Sequence, residues 1–255
     1  MTTDAVVLAG GRNSPEMAAA TGAENRALTQ IGPHTMLDYV VTALTQTPSV
    51  GRIFVVGDVP ESNLYMVVPA KETLLENVLT GLEAAGESPR VLICTSDIPF
   101  VTPAALEDFL ARAAATRADL CCAYVPLSAC TAKYPEMKRT AIKTAEGRFT
   151  LGNVMLVNPS FLRANQPRIA SAYAARKSPA KMASLLGVGL LARLLGAQLA
   201  LPRLLSIRSL ESAVGGLLGG RAVGVCSSYA EIGTDIDKPD DLAVARRLLA
   251  GAEFS

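Results

Sequence analysis

Short apolar runs alternate with amphipathic stretches through the first half of the chain. Ala5-Val6-Val7-Leu8-Ala9 is uninterrupted by any polar residue and stops at Gly10-Gly11. A run this short, closed by glycine, predicts a strand buried on both faces of a parallel sheet. Arg52 to Gly57, Tyr65 to Pro69, Arg90 to Thr95 and Leu120 to Val125 predict further strands. Between them, Met36 to Leu44, Thr73 to Ala85 and Pro103 to Ala115 space their apolar residues as helices do. Thr102 before Pro103 suits an N-cap followed by proline in the first turn. The polar stretch from Arg12 to Asn25 reads as a long loop. Strands that alternate with helices predict an α/β fold: a three-layer α/β/α sandwich on a mostly parallel, mixed sheet.

The pattern changes after Lys133. Thr140 to Lys143, Gly147 to Phe149 and Asn153 to Val157 read as short strands with turns, a β-rich subregion over 133–157 on the side of a site. Phe161 to Gly220 is mostly helical and reads as an insertion over 161–220. A late strand, Arg221 to Val225, and a terminal helix, Asp240 to Ala250, complete a single domain over 1–255. The run from Leu185 to Leu205 is the most apolar of all. Glycines, Arg193, Pro202 and Arg203 interrupt it. A charge at the centre of a bilayer is costly, so the run predicts no membrane span but a buried or partner-facing helical pair.

Composition narrows the function. Lysine and arginine number 24 against 23 acidic residues, and tryptophan is absent. Neither fact suits a broad nucleic-acid-binding surface. The five cysteines form no CxxC pair and no Cys/His ligand set, which predicts reduced thiols packed as small apolar side chains in a cytoplasmic protein. The N-terminus has no signal-peptide pattern. His34 is the single histidine, placed in a turn, so no Ser/His/Asp hydrolase is expected.

The chemistry gathers at the predicted strand ends. Gly10-Gly11 lets the backbone approach a ligand, and such a turn can cradle phosphates with its N–H groups. It is neither GxGxxG nor a P-loop. The strand Arg90 to Thr95 ends at Ser96-Asp97, where ligands of open α/β sheets bind. Asp235 and Asp237 stand two apart, so an extended backbone points both the same way. Carboxylates of this kind suit a hard divalent cation.

Four blocks then carry a resemblance. Leu8-Ala9-Gly10-Gly11-Arg12 with Asn25-Arg26-Ala27-Leu28, then Glu76-Asn77-Val78-Leu79, then Ser96-Asp97-Ile98-Pro99, then Asp235-Ile236-Asp237-Lys238-Pro239-Asp240-Asp241-Leu242 occur in order. They resemble the motifs of the molybdenum-cofactor guanylyltransferase-like (MobA-like) nucleotidyltransferases and their sugar-phosphate relatives. The resemblance implies a GT-A-like nucleotide-diphospho-sugar transferase fold. The implied activity transfers an NMP from an NTP to a phosphorylated small-molecule acceptor, releasing pyrophosphate.

It implies a nucleotide site at Leu8, Ala9, Gly10, Gly11, Arg12, Arg26, Asn77 and Ser96. Arg12 and Arg26 would meet the triphosphate. Asp97 with Asp237 would hold Mg²⁺ or Mn²⁺, with Asp235 the alternative second ligand. Arg12, Arg26 and Asp97 are the expected catalytic residues. Arg139, Asn153 and Lys181, with Lys177 beside the last, are the expected acceptor contacts. Arg26 replaces the family's usual lysine, and the loop after Gly11 lacks the usual Met-Gly pair. A GT-A glycosyltransferase and a non-catalytic nucleotide-binding regulator remain alternatives. The apolar run over 185–205 would serve as a homodimer contact or as the wall of an acceptor site.

Overall fold

A computed structural model describes residues 2–175, 178, 181, 184–185, 187–199 and 201–250. Its central strand is β1 (Thr3–Leu8), buried from Asp4 onward, as an apolar run without alternation requires. β1 pairs in parallel with β4 (Val50–Val56) on one side and with β6 (Val91–Thr95) on the other. β5 (Met66–Val68) extends the sheet beyond β4. Beyond β6 lies β9 (Gly147–Val157), antiparallel both to β6 and to β7 (Leu120–Pro126). β10 (Ala222–Cys226) is parallel to β7, and β8 (Ile142–Thr144) pairs with β9. The order across the sheet is β10-β7-β9-β6-β1-β4-β5. A separate hairpin, β2 (Gln30–Ile31) with β3 (His34–Thr35), leads into the first long helix.

Helices cover both faces, giving the three layers expected. Under one face lie Val40 and Leu44 of Met36–Thr45, Leu106 and Phe109 of Pro103–Thr116, and Ala245 of Pro239–Leu249. The other face holds Leu82 of the helix Leu74–Ala84 and Leu162 of Pro159–Ala164 in one cluster with Val6, Phe54 and Val56. Local chemistry sets the helix starts. Thr73 and Glu76 form a reciprocal capping box, as do Thr35 and Asp38. Thr102 caps the helix opened by Pro103.

Four features depart from the pattern reading. The supposed loop holds a helix, Pro15–Thr21, capped by Ser14 Oγ on the Met17 N–H. Only Met17 of that helix is buried, so its sequence carries no apolar period. The two short strands expected over 147–157 are one strand. Its pairing steps from Met155 opposite Cys122 to Leu151 opposite Tyr124, so Gly152 and Asn153 fall in a bulge. The apolar run over 185–205 is only partly covered: Ala197 and Leu205 are buried, whereas Leu195, Leu199, Leu201 and Leu204 are exposed. Cys226 is exposed, unlike the buried Cys94, Cys121 and Cys130.

The central strands and the helix Leu74–Ala84 meet at Gly81. A Cβ there would lie 2.4 Å from Val6 Cγ1 and 2.9 Å from Val56 Cγ2. Neither valine can yield inside a packed sheet. Gly81→Ala is expected to destabilise the fold by about 1–3 kcal/mol through overpacking, measured as a lower urea midpoint with an unchanged slope.

Candidate active site

Strand order reverses at β1, which has β4 on one side and β6 on the other. Ligands of open α/β sheets bind in the crevice at such a switch point. The Gly10-Gly11 turn sits there. The Gly11 carbonyl accepts the Arg26 N–H at 2.9 Å, and the Asn13 N–H donates to the Glu24 carbonyl at 2.8 Å. Arg12 and Asn25 form an antiparallel bridge between the two. Asn25 Oδ1 accepts the Ala27 N–H at 2.9 Å and starts the turn Arg26–Leu28, while its Nδ2 donates to the Asp58 carbonyl at 3.0 Å. The helix between residues 12 and 25 thus folds back, so that two separate sequence blocks become one two-ply ribbon above the strand ends.

Asn77 supports this ribbon from the side. It is buried, and its Oδ1 accepts the Lys71 N–H at 2.6 Å. A Cβ at Gly10 would lie 3.0 Å from Asn77 Nδ2 and 3.4 Å from Ala70 Cβ, so a side chain there would press on the Asn77 amide. On the neighbouring strand, the buried Ser96 donates its N–H to the Leu8 carbonyl at 3.3 Å. Ala9 is buried and donates to the Val56 carbonyl at 2.8 Å.

The acidic half of the site is assembled by one backbone bond. The Ile236 N–H donates to the Asp97 carbonyl at 2.8 Å, which lays the closing segment across the strand ends and sets Asp235 and Asp237 beside Asp97. Oxygens of the three carboxylates lie within 4.8 Å of one another. Arg26 reaches into this cluster: its Nη1 lies 2.9 Å from Asp97 Oδ2 and 2.5 Å from Asp237 Oδ1. Asp97 Oδ1 is buried and, among the described residues, has no hydrogen-bond partner. Burial, with the neighbouring Asp237 adding to it, pushes the Asp235 carboxyl up to about 7. Burial also raises Asp241, against the pull of Arg139.

The remaining predicted residues fall as follows. Arg12 is exposed at the lip, and its carbonyl accepts Arg26 Nη2 at 3.4 Å. Arg139 is drawn under the carboxylates instead of facing open space. Its side chain is only 7% exposed, with Nη1 3.1 Å from Asp235 Oδ1 and Nη2 3.8 Å from Asp241 Oδ1. Asn153 donates from Nδ2 to the Ile232 carbonyl at 3.3 Å, tying β9 to the closing segment. Lys181 is exposed, and among the described residues no hydrogen bond or ion pair joins its side chain to the site. Lys177 lies outside the described residues.

Sequence reasoning missed two partners here. The Asp235 and Asp241 pairing with Arg139 joins residues about a hundred positions apart, and no local spacing signals it. Glu231 is buried and accepts from Lys133 Nζ at 2.8 Å and from Thr102 Oγ1 at 3.3 Å. It anchors the turn Ala230–Gly233 just before the acidic pair. Removing one member of a buried ion pair leaves the other uncompensated. Arg139→Ala is therefore expected to cost about 3–5 kcal/mol of stability, read from denaturant midpoints, whereas exposed Arg12→Ala should leave stability unchanged within about 0.5 kcal/mol.

The likenesses to known proteins agree with this geometry. A hypothetical transferase from Thermus thermophilus is 32% identical and superposes with a TM-score of 0.84, over 95% of this chain and 100% of that one. The 2-C-methyl-D-erythritol 4-phosphate cytidylyltransferase from the same species is 20% identical, with a TM-score of 0.56 over 98% of this chain and 100% of that one. A nucleotidyl transferase from Methanothermobacter is 19% identical, with a TM-score of 0.58 over 99% of each chain. The latter two share the fold. No curated protein matches the chain at significant similarity. Residues 5–187 match the MobA-like NTP transferase domain, and the chain therefore belongs to that family of nucleotidyltransferases.

Proposed function

We propose that the protein transfers an NMP from an NTP to a phosphorylated small molecule, in a reaction that requires a divalent cation and releases pyrophosphate. The observation that carries this reading is the meeting of Arg26 with Asp97 and Asp237 at the mouth of the Gly10-Gly11 turn. A cation and a carboxylate cluster stand together where a triphosphate would lie against backbone N–H groups.

The residues fit Mg²⁺ or Mn²⁺. Their donors are all carboxylate oxygens, within 4.8 Å of one another, and one Asp97 oxygen has no other partner among the described residues. Hard cations take such ligands, often two carboxylates with substrate phosphates. Asp97 and Asp237 would hold the ion, with Asp235 close enough to join them. The bound ion would supply positive charge against the phosphate oxygens.

The chain's own groups do the rest by position and charge. Gly10 and Gly11 hold the nucleotide against the strand ends, with Asn77 fixing the loop behind them. Arg26 and Arg12 neutralise the triphosphate as charge develops on the leaving pyrophosphate. A phosphate oxygen of the acceptor forms the new bond to the α-phosphorus as the bond to pyrophosphate breaks. That oxygen is already anionic, so no general base is needed. Asn153 stands next to the closing segment and would meet acceptor hydroxyls.

The test is pyrophosphate release from purified protein with Mg²⁺. Five NTPs (CTP, GTP, UTP, ATP and dTTP) are each paired with pooled phosphorylated metabolites. Release is expected with one NTP and one pool. Asp97→Ala should lower it by at least ~10²-fold, and Arg26→Ala by ~10²–10³-fold, the scale of losing one charge-stabilising group. Arg26→Lys keeps the charge without the planar fork and should fall between Arg26→Ala and the native protein. Release from no pair, with nucleotide still bound, would overturn the catalytic reading.

A further inference from the structure

The near-neutral total charge hides an asymmetry. From residue 147 to residue 210 the sequence has nine arginines and lysines and no aspartate or glutamate. Among the described residues, Arg163, Arg168, Arg193, Arg203 and Arg208 are exposed and enter no salt bridge. The same region holds the densest exposed apolar surface. Among the described residues, five of the eleven exposed large hydrophobic side chains lie between residues 185 and 204.

These two features interleave. Leu195 and Leu199 are one helical turn apart on Val188–Leu199, 55% and 83% exposed, and Arg193 lies on the same helix. Arg203 stands between Leu201 and Leu204, which are 59% and 45% exposed. Leu185 lines a surface hollow together with Arg168. The segment is held down by its other side. The Gln198 side-chain amide exchanges hydrogen bonds with the Lys143 backbone of β8 at 3.0 and 3.2 Å, and the Ala145 N–H donates to the Leu205 carbonyl at 2.7 Å. The segment is therefore anchored on one side, with these leucines and arginines exposed over the rest of its surface. A separate, largely apolar cavity of about 260 Å³ between β7, β9 and the helix Ile207–Leu218 plays no part here.

We propose that this helical insertion docks on the surface of a lipid bilayer rich in anionic headgroups. A second copy of the chain would have to present the same excess of positive charge, and like charges repel. An anionic bilayer supplies both complements: negative charge for the arginines and an acyl boundary for the leucines. No helix among the described residues is long and apolar enough to cross a membrane, so the contact is with one leaflet.

The test is co-sedimentation of the whole protein with phosphatidylcholine vesicles, with and without phosphatidylglycerol. Binding is expected only with phosphatidylglycerol, and should weaken at ~1 M salt, where the Debye length falls to about 3 Å. The double variant Arg193→Ala, Arg203→Ala should bind roughly 25-fold more weakly, at about fivefold per basic residue. Leu195→Ser with Leu199→Ser should also weaken binding, while circular dichroism stays unchanged. Should the leucine variant fold poorly, the arginine variant still decides the matter. No sedimentation with anionic vesicles, or undiminished sedimentation of the arginine variant, would overturn the proposal. So would a solution dimer, seen by light scattering, that the leucine substitutions dissolve while no vesicle is bound. Loss of vesicle binding leaves the nucleotidyl-transfer reading untouched, because the two assays share no residue.

Discussion

Three carboxylates whose oxygens lie within 4.8 Å of one another repel, and the rest of the site is arranged around that repulsion. At such range two like charges cost about 1 kcal/mol even in water and several times more near a protein surface. The fold meets this cost with two arginines from different directions. Arg26 comes from the ribbon above the strand ends, and Arg139 from beneath. Asp235 resists ionising, because it is buried and has Asp237 beside it. A cluster kept this crowded is costly to fold, which supports reading it as a cation-binding device and not as a surface ornament.

What forces the carboxylates together is ordinary backbone hydrogen bonding. The Ile236 N–H finds its acceptor at the Asp97 carbonyl, and the residues on either side of Ile236 therefore flank Asp97. Glu231, paired with Lys133 and Thr102, holds the preceding turn in place. The bulge at Gly152-Asn153 lets β9 swing clear while Asn153 still ties it to Ile232. The antiparallel β9 is thus the support on which the closing segment rests. It lies between two strands that are parallel to each other, and so presents its start where they present their ends.

The helical stretch over 161–220 follows a different logic from the core. The sheet buries apolar residues on both faces, and its helices cover them. The segment over 185–204 is dense in leucine, yet leaves much of that surface in solvent. A pattern reading treats leucine density as burial, since it cannot see how many faces a helix has covered. Here one side of the helix Val188–Leu199 rests on β8 through Gln198, and among the described residues Leu195 and Leu199 on that helix stay exposed.

The sequence by itself determined the layers, the strand at the centre and the blocks that meet at the strand ends. Uninterrupted apolar runs of this length suit strands covered on both faces, and glycine after such a run marks a place where backbone must be approached. Asp97 and the Asp235/Asp237 pair were legible for the same local reason. The tertiary structure alone decided which groups touch. It put Arg26 between Asp97 and Asp237, drew Arg139 under Asp235 and away from open space, merged two expected strands into bulged β9, and found a helix over Pro15–Thr21 where the sequence showed only polarity. Periodicity records what each residue's own element buries. Pairings between residues some seventy to two hundred positions apart arise only when those elements are stacked, and no local pattern encodes them.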